Sequence, residues 1–113
     1  QYGLPIKIIN LNNRALGMVK QWQDMQYGGR YSSISYEDSL PDFIKPAESY
    51  GHVGMKVEKL SELEAAMEEC FALKDKLVFL DVYVDPDEHV YPMLKAGGDM
   101  SEMFLSKTEK TFE

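Results

Sequence analysis

Two nearly continuous apolar runs, residues 4–11 and 77–84, constrain the fold of this chain more than any other feature of its sequence. Such runs are typical of strands that are buried on both faces of a parallel sheet. Residues 52–57 predict a shorter strand that lies between them in sequence. Helical segments separate the three strands. The sequence therefore predicts an α/β fold, a parallel sheet with helices on both faces and right-handed crossover connections.

The first predicted helix, at about residues 15–27, is defined by an apolar stripe at helical spacing. The stripe consists of Ala15, Met18, Val19, Trp22 and Met25. An aromatic side chain in such a stripe is more often part of a core than of a binding site, so the stripe by itself favours a buried Trp22. Gly28 and Gly29 follow and predict a loop.

Two further helices are predicted before the last strand. Pro41 suits a first helical position and predicts a helix over residues 41–50, although Pro46 predicts a kink or a late start because proline lacks a backbone donor. Ser61 and Glu64 match a capping box, which predicts a third helix there. After residue 89 we expect an arm that lies on another part of the protein, with a linker at Gly97.

The composition excludes several classes of function. Nineteen acidic and twelve basic residues give a net charge of -7, and the basic residues are scattered, so we expect no nucleic acid partner. The longest apolar run is too short to cross a bilayer, and the sequence has no signal-peptide pattern. The single cysteine, Cys70, cannot form an internal disulfide and is expected to be a buried helix residue. These features favour a cytoplasmic protein.

The start of the chain predicts that it is a piece of a larger protein. It opens with Gln1 rather than methionine and reaches a strand-like run within a few residues. Three short strands that are apolar on both faces cannot cover themselves well in 113 residues. We therefore expect part of the sheet and its covering layers to come from outside this chain.

A turn after the first strand is the best candidate site on physical grounds. It runs from Asn12 and Asn13 to Met18, follows the carboxyl end of a buried strand and leads into a helix. Ligands of open parallel sheets bind at such strand ends, and amide and carbonyl oxygens suit Mg²⁺. Gly17 would allow a ligand to approach the backbone. By local sequence alone, an ordinary turn and helix cap is the better supported interpretation.

Other catalytic signatures do not occur in the sequence. It has no Walker-type phosphate loop, no dinucleotide fingerprint, no CxxC and no HExxH. His52 and His89 have no serine or cysteine partner nearby in sequence, so both are expected to be structural.

The motifs taken together closely resemble the catalytic subunits of acetohydroxyacid synthases, above all the bacterial ones. The matching segments are residues 12–13, 17–23, 40–43, 47–48, 50–51, 89–93, 97–98 and 105–109. Pro46 departs from the apolar residue usual in that family, which puts the geometry of the second helix in question. The resemblance implies the three-layer α/β/α thiamine diphosphate-binding domain, its C-terminal portion at residues 1–88 and an arm over the active site at residues 89–113.

The resemblance also implies roles for individual residues. Asn13 would bind Mg²⁺ through its amide oxygen and Ala15 through its backbone carbonyl. Leu16, Gly17 and Met18 would contact thiamine diphosphate. The motif's aspartate would lie upstream, in a Gly-Asp-Gly sequence that this chain does not contain. The glutamate that activates the cofactor and the domain that binds FAD would also lie outside the chain, so no catalytic residue is expected within it.

Two further positions concern the substrate. By the resemblance, Trp22 would line the entrance and favour a second 2-ketoacid of a particular size. Ala96 would belong to the arm that closes over this entrance, where herbicides bind related enzymes. The implied reaction joins decarboxylated pyruvate to pyruvate or 2-ketobutyrate on the pathway to valine and isoleucine, with a homodimer of catalytic subunits and a small regulatory subunit. Open alternatives are another thiamine diphosphate enzyme, such as a 2-ketoacid decarboxylase or glyoxylate carboligase, and a non-catalytic binding module of the same fold.

Overall fold

A computed structural model describes residues 2–36 and 38–107. The described elements are β1 (Lys7–Asn12), α1 (Gly17–Tyr27), α2 (Ile44–Ser49), β2 (Val53–Val57), α3 (Leu60–Ala72), β3 (Val78–Tyr83) and a 3-10 turn (Met100–Glu102). They fall into two compact units. The first combines the described residues up to Asn13 with Asp38–Val84, and the second combines those of Arg14–Glu37 with those from Asp85 onward. Residues 108–113 of the expected arm lie outside the described residues.

The first unit is built on a three-stranded parallel sheet, as the apolar runs predict. Its strand order is β1-β3-β2, with Lys7 and Val53 both opposite Val78. The central strand β3 is the most deeply buried of the three, because it has a neighbour on each side. Each strand begins within about three residues of its predicted start, which is the usual accuracy of a boundary read from sequence.

One face of this sheet packs against α3. Its core consists of Val57, Leu80 and Val82, and side chains of α3 such as Leu63 and Met67 pack against them. Cys70 of the same helix is fully buried, as expected. Apolar residues at helical spacing therefore meet apolar residues at strand spacing, and their burial stabilises the unit.

The opposite face of the sheet carries α2. Gly54 lies opposite Phe79, and these residues alternate along their strands with the core residues on the α3 side. The Phe79 ring stacks on Phe43 at 5.9 Å between ring centroids. A Cβ atom at Gly54 would lie only 2.6 Å from Cγ2 of Ile44 and 3.1 Å from its carbonyl oxygen, so glycine permits the close approach of helix and strand. The prediction of helices on both faces is confirmed.

The late start of α2 accommodates Pro46. The helix begins at Ile44 instead of Pro41, which places Pro46 in its first turn. Backbone N–H groups of the first turn have no partner within a helix, so a proline there removes no helical hydrogen bond. Of the two outcomes that the sequence allows at Pro46, the late start is the one that occurs.

The predicted capping box at Ser61 is wrong. The helix α3 begins one residue earlier, at Leu60, with Lys59 at the N-cap in an extended conformation and no side-chain cap. Glu62 instead accepts a hydrogen bond from the Glu58 backbone N–H at 3.4 Å. A capping box does occur at the 3-10 turn, where Asp99 and Glu102 satisfy each other's backbone donors.

The strand β1 is exposed within the described part of the chain, as expected for a sheet that cannot cover itself in 113 residues. Leu11 is 68% exposed, and Ile6, Ile8 and Ile9 are each exposed by two fifths or more. The strand lies at the edge of the sheet, next to β3 alone. An apolar edge strand is a surface that proteins usually cover, because unpaired strand groups and apolar side chains promote association.

Candidate functional site

The carboxyl end of β1 is fixed by hydrogen bonds to the neighbouring strand. Asn12 donates from Nδ2 to Oδ2 of Asp81 at 3.1 Å, and Asn10 donates to the other oxygen at 2.7 Å. Asp81 is 3% exposed, and these two asparagines compensate the cost of burying its carboxylate. Asn12 is therefore a structural residue, although it belongs to the same Asn-Asn pair as Asn13.

Asn13 is the first residue after β1, and it is partly exposed. The three strands are parallel, so it lies at the carboxyl edge of the sheet in the first unit, where open α/β sheets bind their ligands. Its side chain carries an amide oxygen of the type that Mg²⁺ accepts. The predicted position of Asn13 at a strand end is confirmed, and its role as a ligand stays a prediction.

The next part of the candidate turn belongs to the second unit and has an unusual backbone. Arg14 has a φ of 56°, which is uncommon for a residue with a side chain and costs conformational energy. Ala15 forms an isolated antiparallel bridge with Ser35. The hydrogen bonds of the bridge flank these two residues, so the carbonyl of Ala15 is directed away from the partner segment.

The start of α1 is not capped by the asparagine pair. The N-cap residue is Leu16, which has no side-chain cap, and the first turn carries no acidic residue. The interpretation of the Asn-Asn pair as a helix cap is therefore wrong. A helix N-terminus of this kind presents backbone N–H groups and the positive end of the helix dipole, which is the usual arrangement for binding a phosphate group.

The apolar stripe of α1 is a surface groove instead of a core. Trp22 is 39% exposed and Met18 is 50% exposed, so the core interpretation of Trp22 is wrong in this unit. A cavity of about 390 Å³ lies along the stripe and is lined by Met18, Val19, Trp22, Gln23 and Tyr27. An exposed apolar groove of this size is typical of a ligand or partner surface.

The buried side of α1 is polar, which the sequence analysis missed. The Lys20 ammonium group lies 3.3 Å from Oδ2 of Asp24 and 2.5 Å from Oδ1 of Asp87. The pair Lys20 and Asp24 has the i, i+4 spacing of a helical ion pair, which was the one signal in the sequence. His89 contacts the same carboxylate at 2.9 Å through Nε2, and its structural role stays a prediction.

The electrostatics of this network keep Lys20, Asp24 and Asp87 charged. Burial alone lowers the pKa of Lys20, but hydrogen bonds to Asp87 and Tyr31 raise it well above its ordinary value. Burial likewise raises the pKa of Asp24, and the stronger combined effect of its hydrogen bonds to Tyr31 and Lys20 lowers it. The pKa of Asp87 is lowered by its hydrogen bond to Lys20. Ionic bonds between α1 and the segment after Asp85 therefore persist at neutral pH.

The segment that carries Ala96 is a closed loop. Met93 and Phe104 exchange two backbone hydrogen bonds, each at 2.8 Å. Between them, the Gly98 N–H donates to the Lys95 carbonyl at 2.9 Å and closes a turn in which Gly97 has a φ of 74°. Ala96 is exposed at this turn. The predicted linker is therefore a hydrogen-bonded turn.

The predicted site residues thus belong to two different compact units. Asn13 lies in the first unit. The residues placed in the second unit are Ala15, Leu16, Gly17, Met18, Trp22 and Ala96. No group of three or more His, Cys, Asp or Glu side chains within the described ranges could hold a metal ion. A cation bound through asparagine and backbone oxygens requires no such group.

The sequence matches a known family over most of its length. The family model of the thiamine pyrophosphate enzyme, C-terminal TPP binding domain, matches residues 1–82. The chain belongs to this family of thiamine pyrophosphate enzymes, and its parallel sheet with helices on both faces is the corresponding α/β fold.

Several relatives of the chain are named acetolactate synthase. It is 59% identical over 110 residues to the acetolactate synthase large subunit of Haemophilus influenzae, covering 97% of this chain and 19% of the relative. It is 58% identical over 113 residues to the isozyme 3 large subunit of Escherichia coli, covering 98% and 20%. The Mycobacterium bovis acetolactate synthase is 36% identical over 104 residues, covering 89% and 17%. The chain is homologous to acetolactate synthase large subunits and spans about a fifth of their length.

Among residues 2–36 and 38–107, no helix combines the length and the apolar character of a membrane span.

Proposed function

We propose that this chain is the C-terminal part of an acetolactate synthase large subunit. The enzyme condenses pyruvate with a second pyruvate or with 2-ketobutyrate and releases carbon dioxide, in the biosynthesis of valine and isoleucine. The observation that carries the proposal is the identity of 58 to 59% to two acetolactate synthase large subunits over nearly the whole chain. Residues 1–88 would complete the cofactor domain, and residues 89–113 would form the arm beside the substrate entrance.

The proposed cofactor site uses the turn after β1. Asn13 would bind Mg²⁺ through its amide oxygen and Ala15 through its backbone carbonyl. Two observations support this assignment: the position of Asn13 at a carboxyl strand end, and the Ala15 carbonyl directed away from its bridge partner. Leu16, Gly17 and Met18 would contact the cofactor at the start of α1, which has no side-chain cap.

The protein's part in the chemistry is to hold the cofactor and to orient the second ketoacid. Thiamine diphosphate supplies the electron sink for decarboxylation and for transfer of the two-carbon unit. Backbone N–H groups at the start of α1 would hold the diphosphate, and the oxygens of Asn13 and Ala15 would hold the cation that neutralises it. The apolar groove beside Trp22 would exclude water and receive the aliphatic part of the second ketoacid.

Further partners follow from the same proposal. FAD would be bound by a domain outside this chain. Two large subunits would form a homodimer, and a small regulatory subunit would bind to it, as the name "large subunit" of the relatives suggests. The enzyme would work in the cytoplasm. Ala96 would lie on the inhibitor-binding surface of the arm, consistent with its exposure at a turn.

A product assay on the complete protein tests the proposal. Purified enzyme with pyruvate, Mg²⁺, thiamine diphosphate and FAD is expected to form 2-acetolactate, and to form 2-aceto-2-hydroxybutyrate when 2-ketobutyrate is added. Release of acetaldehyde in place of acetolactate would identify a decarboxylase, and tartronate semialdehyde from glyoxylate would identify a glyoxylate carboligase. Cofactor binding without turnover of any ketoacid would identify a binding module.

The substitution Trp22→Leu is expected to change the choice of acceptor more than the rate. One methylene group in an apolar pocket contributes about 1 to 3 kcal/mol of discrimination, so a smaller side chain in the groove wall should remove most of the preference for 2-ketobutyrate. The measurement is competition between pyruvate and 2-ketobutyrate in the complete enzyme. Tyr27→Leu, at the far end of the same groove, is the control. An unchanged product ratio in Trp22→Leu would exclude Trp22 as a specificity wall.

A further inference from the structure

One buried amide joins α1 to the segment that follows residue 85. Gln21 donates from Nε2 to the carbonyl of Val90 at 2.7 Å and accepts from the Val90 N–H at 3.0 Å through Oε1. Its side chain thereby pairs with both backbone groups of one residue, as a neighbouring strand would. Gln21 is 1% exposed, so its amide is enclosed, whereas the Val90 side chain is exposed. This pairing fixes both the distance and the rotation of the Val90 backbone against the helix.

Further polar contacts join the same two segments. Lys20 bonds to Asp87, and Asp24 contacts His89 at 2.9 Å. The helix therefore contacts Asp87, His89 and Val90 of the segment that leads towards Ala96. We call this segment, residues 87–93, the tether.

The tether ends where the Ala96 loop begins. Met93, three residues after Val90, forms the backbone bridge to Phe104 that closes the loop. Trp22 follows Gln21 directly in α1. A displacement at Gln21 would therefore change the position of the loop relative to the helix that carries Trp22, without altering either of them internally.

We propose that Gln21 is a positioning residue, whose amide holds the tether so that the Ala96 loop and Trp22 together define the opening for the second ketoacid. This inference rests on the proposed function, and it adds a determinant of acceptor choice that does not itself touch the substrate. Trp22 and the loop provide the surfaces, and Gln21 sets the distance between them.

The variant Gln21→Met in the complete enzyme tests the proposal. Methionine has nearly the same length, so the volume is kept while both hydrogen bonds to Val90 are lost. The Val90 N–H and the amides of the tether are expected to exchange with deuterium faster. The preference for 2-ketobutyrate over pyruvate is expected to fall by about fivefold, a part of the tenfold or greater discrimination that one methylene allows. The turnover number with pyruvate alone should change much less.

The matched control is Gln23→Met. Gln23 makes the same kind of two-point pairing two residues further along, with the backbone of Ser32 at 3.4 and 3.1 Å. Loss of this pairing is expected to speed the deuterium exchange of amides near Ser32, while the amides of the tether exchange at the wild-type rate. Equal exchange in the tether for both variants would show that any loss on this helix loosens it, which would overturn the special position of Gln21.

A second variant keeps the test decisive where Gln21→Met fails to fold. Gln21→Asn keeps a neutral amide but is one methylene shorter, so it cannot hold both bonds to Val90 in the same geometry and should shift the acceptor ratio in the same direction by less. Faster tether exchange with an unchanged acceptor ratio would reduce Gln21 to a structural residue. Absence of acetolactate from the wild-type enzyme would refute the proposed function, and the exchange of Val90 would then still report whether the tether depends on Gln21.

Discussion

Replacing Asn13 with alanine is expected to weaken the binding of Mg²⁺ and thiamine diphosphate by about 10- to 100-fold in the complete enzyme. Magnesium requires nearly octahedral oxygen coordination and uses few protein ligands, so a lost amide oxygen leaves a position that only water can fill. Because Asn13 follows β1 and is partly exposed, we expect the free energy of unfolding to change by less than about 1 kcal/mol.

The neighbouring asparagine provides the control for this prediction. Asn12 bonds to the buried carboxylate of Asp81, so Asn12→Ala should leave that carboxylate with one partner fewer and cost about 1 to 3 kcal/mol of stability. Activity titrations with Mg²⁺ and cofactor, beside thermal unfolding of the cofactor-free protein, measure both effects. Asn13→Ala should lose affinity for Mg²⁺ and the cofactor, and Asn12→Ala should lose stability. Unchanged affinity in Asn13→Ala would exclude it as a ligand.

The stretch of residues 1–113, expressed by itself, is expected to form no acetolactate even with pyruvate, thiamine diphosphate, Mg²⁺ and FAD supplied. It spans about a fifth of the length of its relatives, and its sequence contains no Gly-Asp-Gly with which the diphosphate motif of the proposed family begins. A cation site with a missing carboxylate ligand should bind the cofactor too weakly to support turnover.

We also expect residues 1–113, expressed by themselves, to self-associate. The edge strand β1 exposes apolar side chains, with Leu11 at 68%, and such edges pair with other chains. Size-exclusion chromatography should show oligomers that Leu11→Lys reduces, while Leu60→Lys, at an exposed position on α3, reduces them less. Calorimetric titration with cofactor and a product assay complete the test. Product above a blank without protein would contradict the prediction.

The strand positions could be predicted because they depend on local composition. Residues 77–84 are apolar enough to require the centre of a sheet, and β3 is there. The burial of β1 could not be predicted in the same way, since an apolar run shows that a strand needs a cover and does not show which chain segment provides it. The prediction of a capping box at Ser61 is wrong for a smaller reason: the N-cap is Lys59, two residues earlier, and this shift removes the geometry that the motif needs.

In the candidate site, too, features that depend on adjacent residues could be predicted, and contacts between residues far apart in sequence could not. The turn after β1 was found because a strand end, two asparagines and a glycine are adjacent in sequence. The stripe by itself favours a buried Trp22, because its period identifies one face of the helix and leaves open what lies against that face. Gln21 was not singled out, since its partner Val90 is 69 residues away and contributes only backbone groups, which every residue has.

The bridge between Met93 and Phe104 holds the two ends of the loop with Ala96 together. Its two hydrogen bonds bring the loop ends together, so a change of length or composition between them costs little in closure entropy and is not transmitted beyond them. The loop between these two residues can therefore be replaced as a unit. We therefore expect relatives of this chain to differ in the length and composition of this loop while the sequence of α1 stays the same.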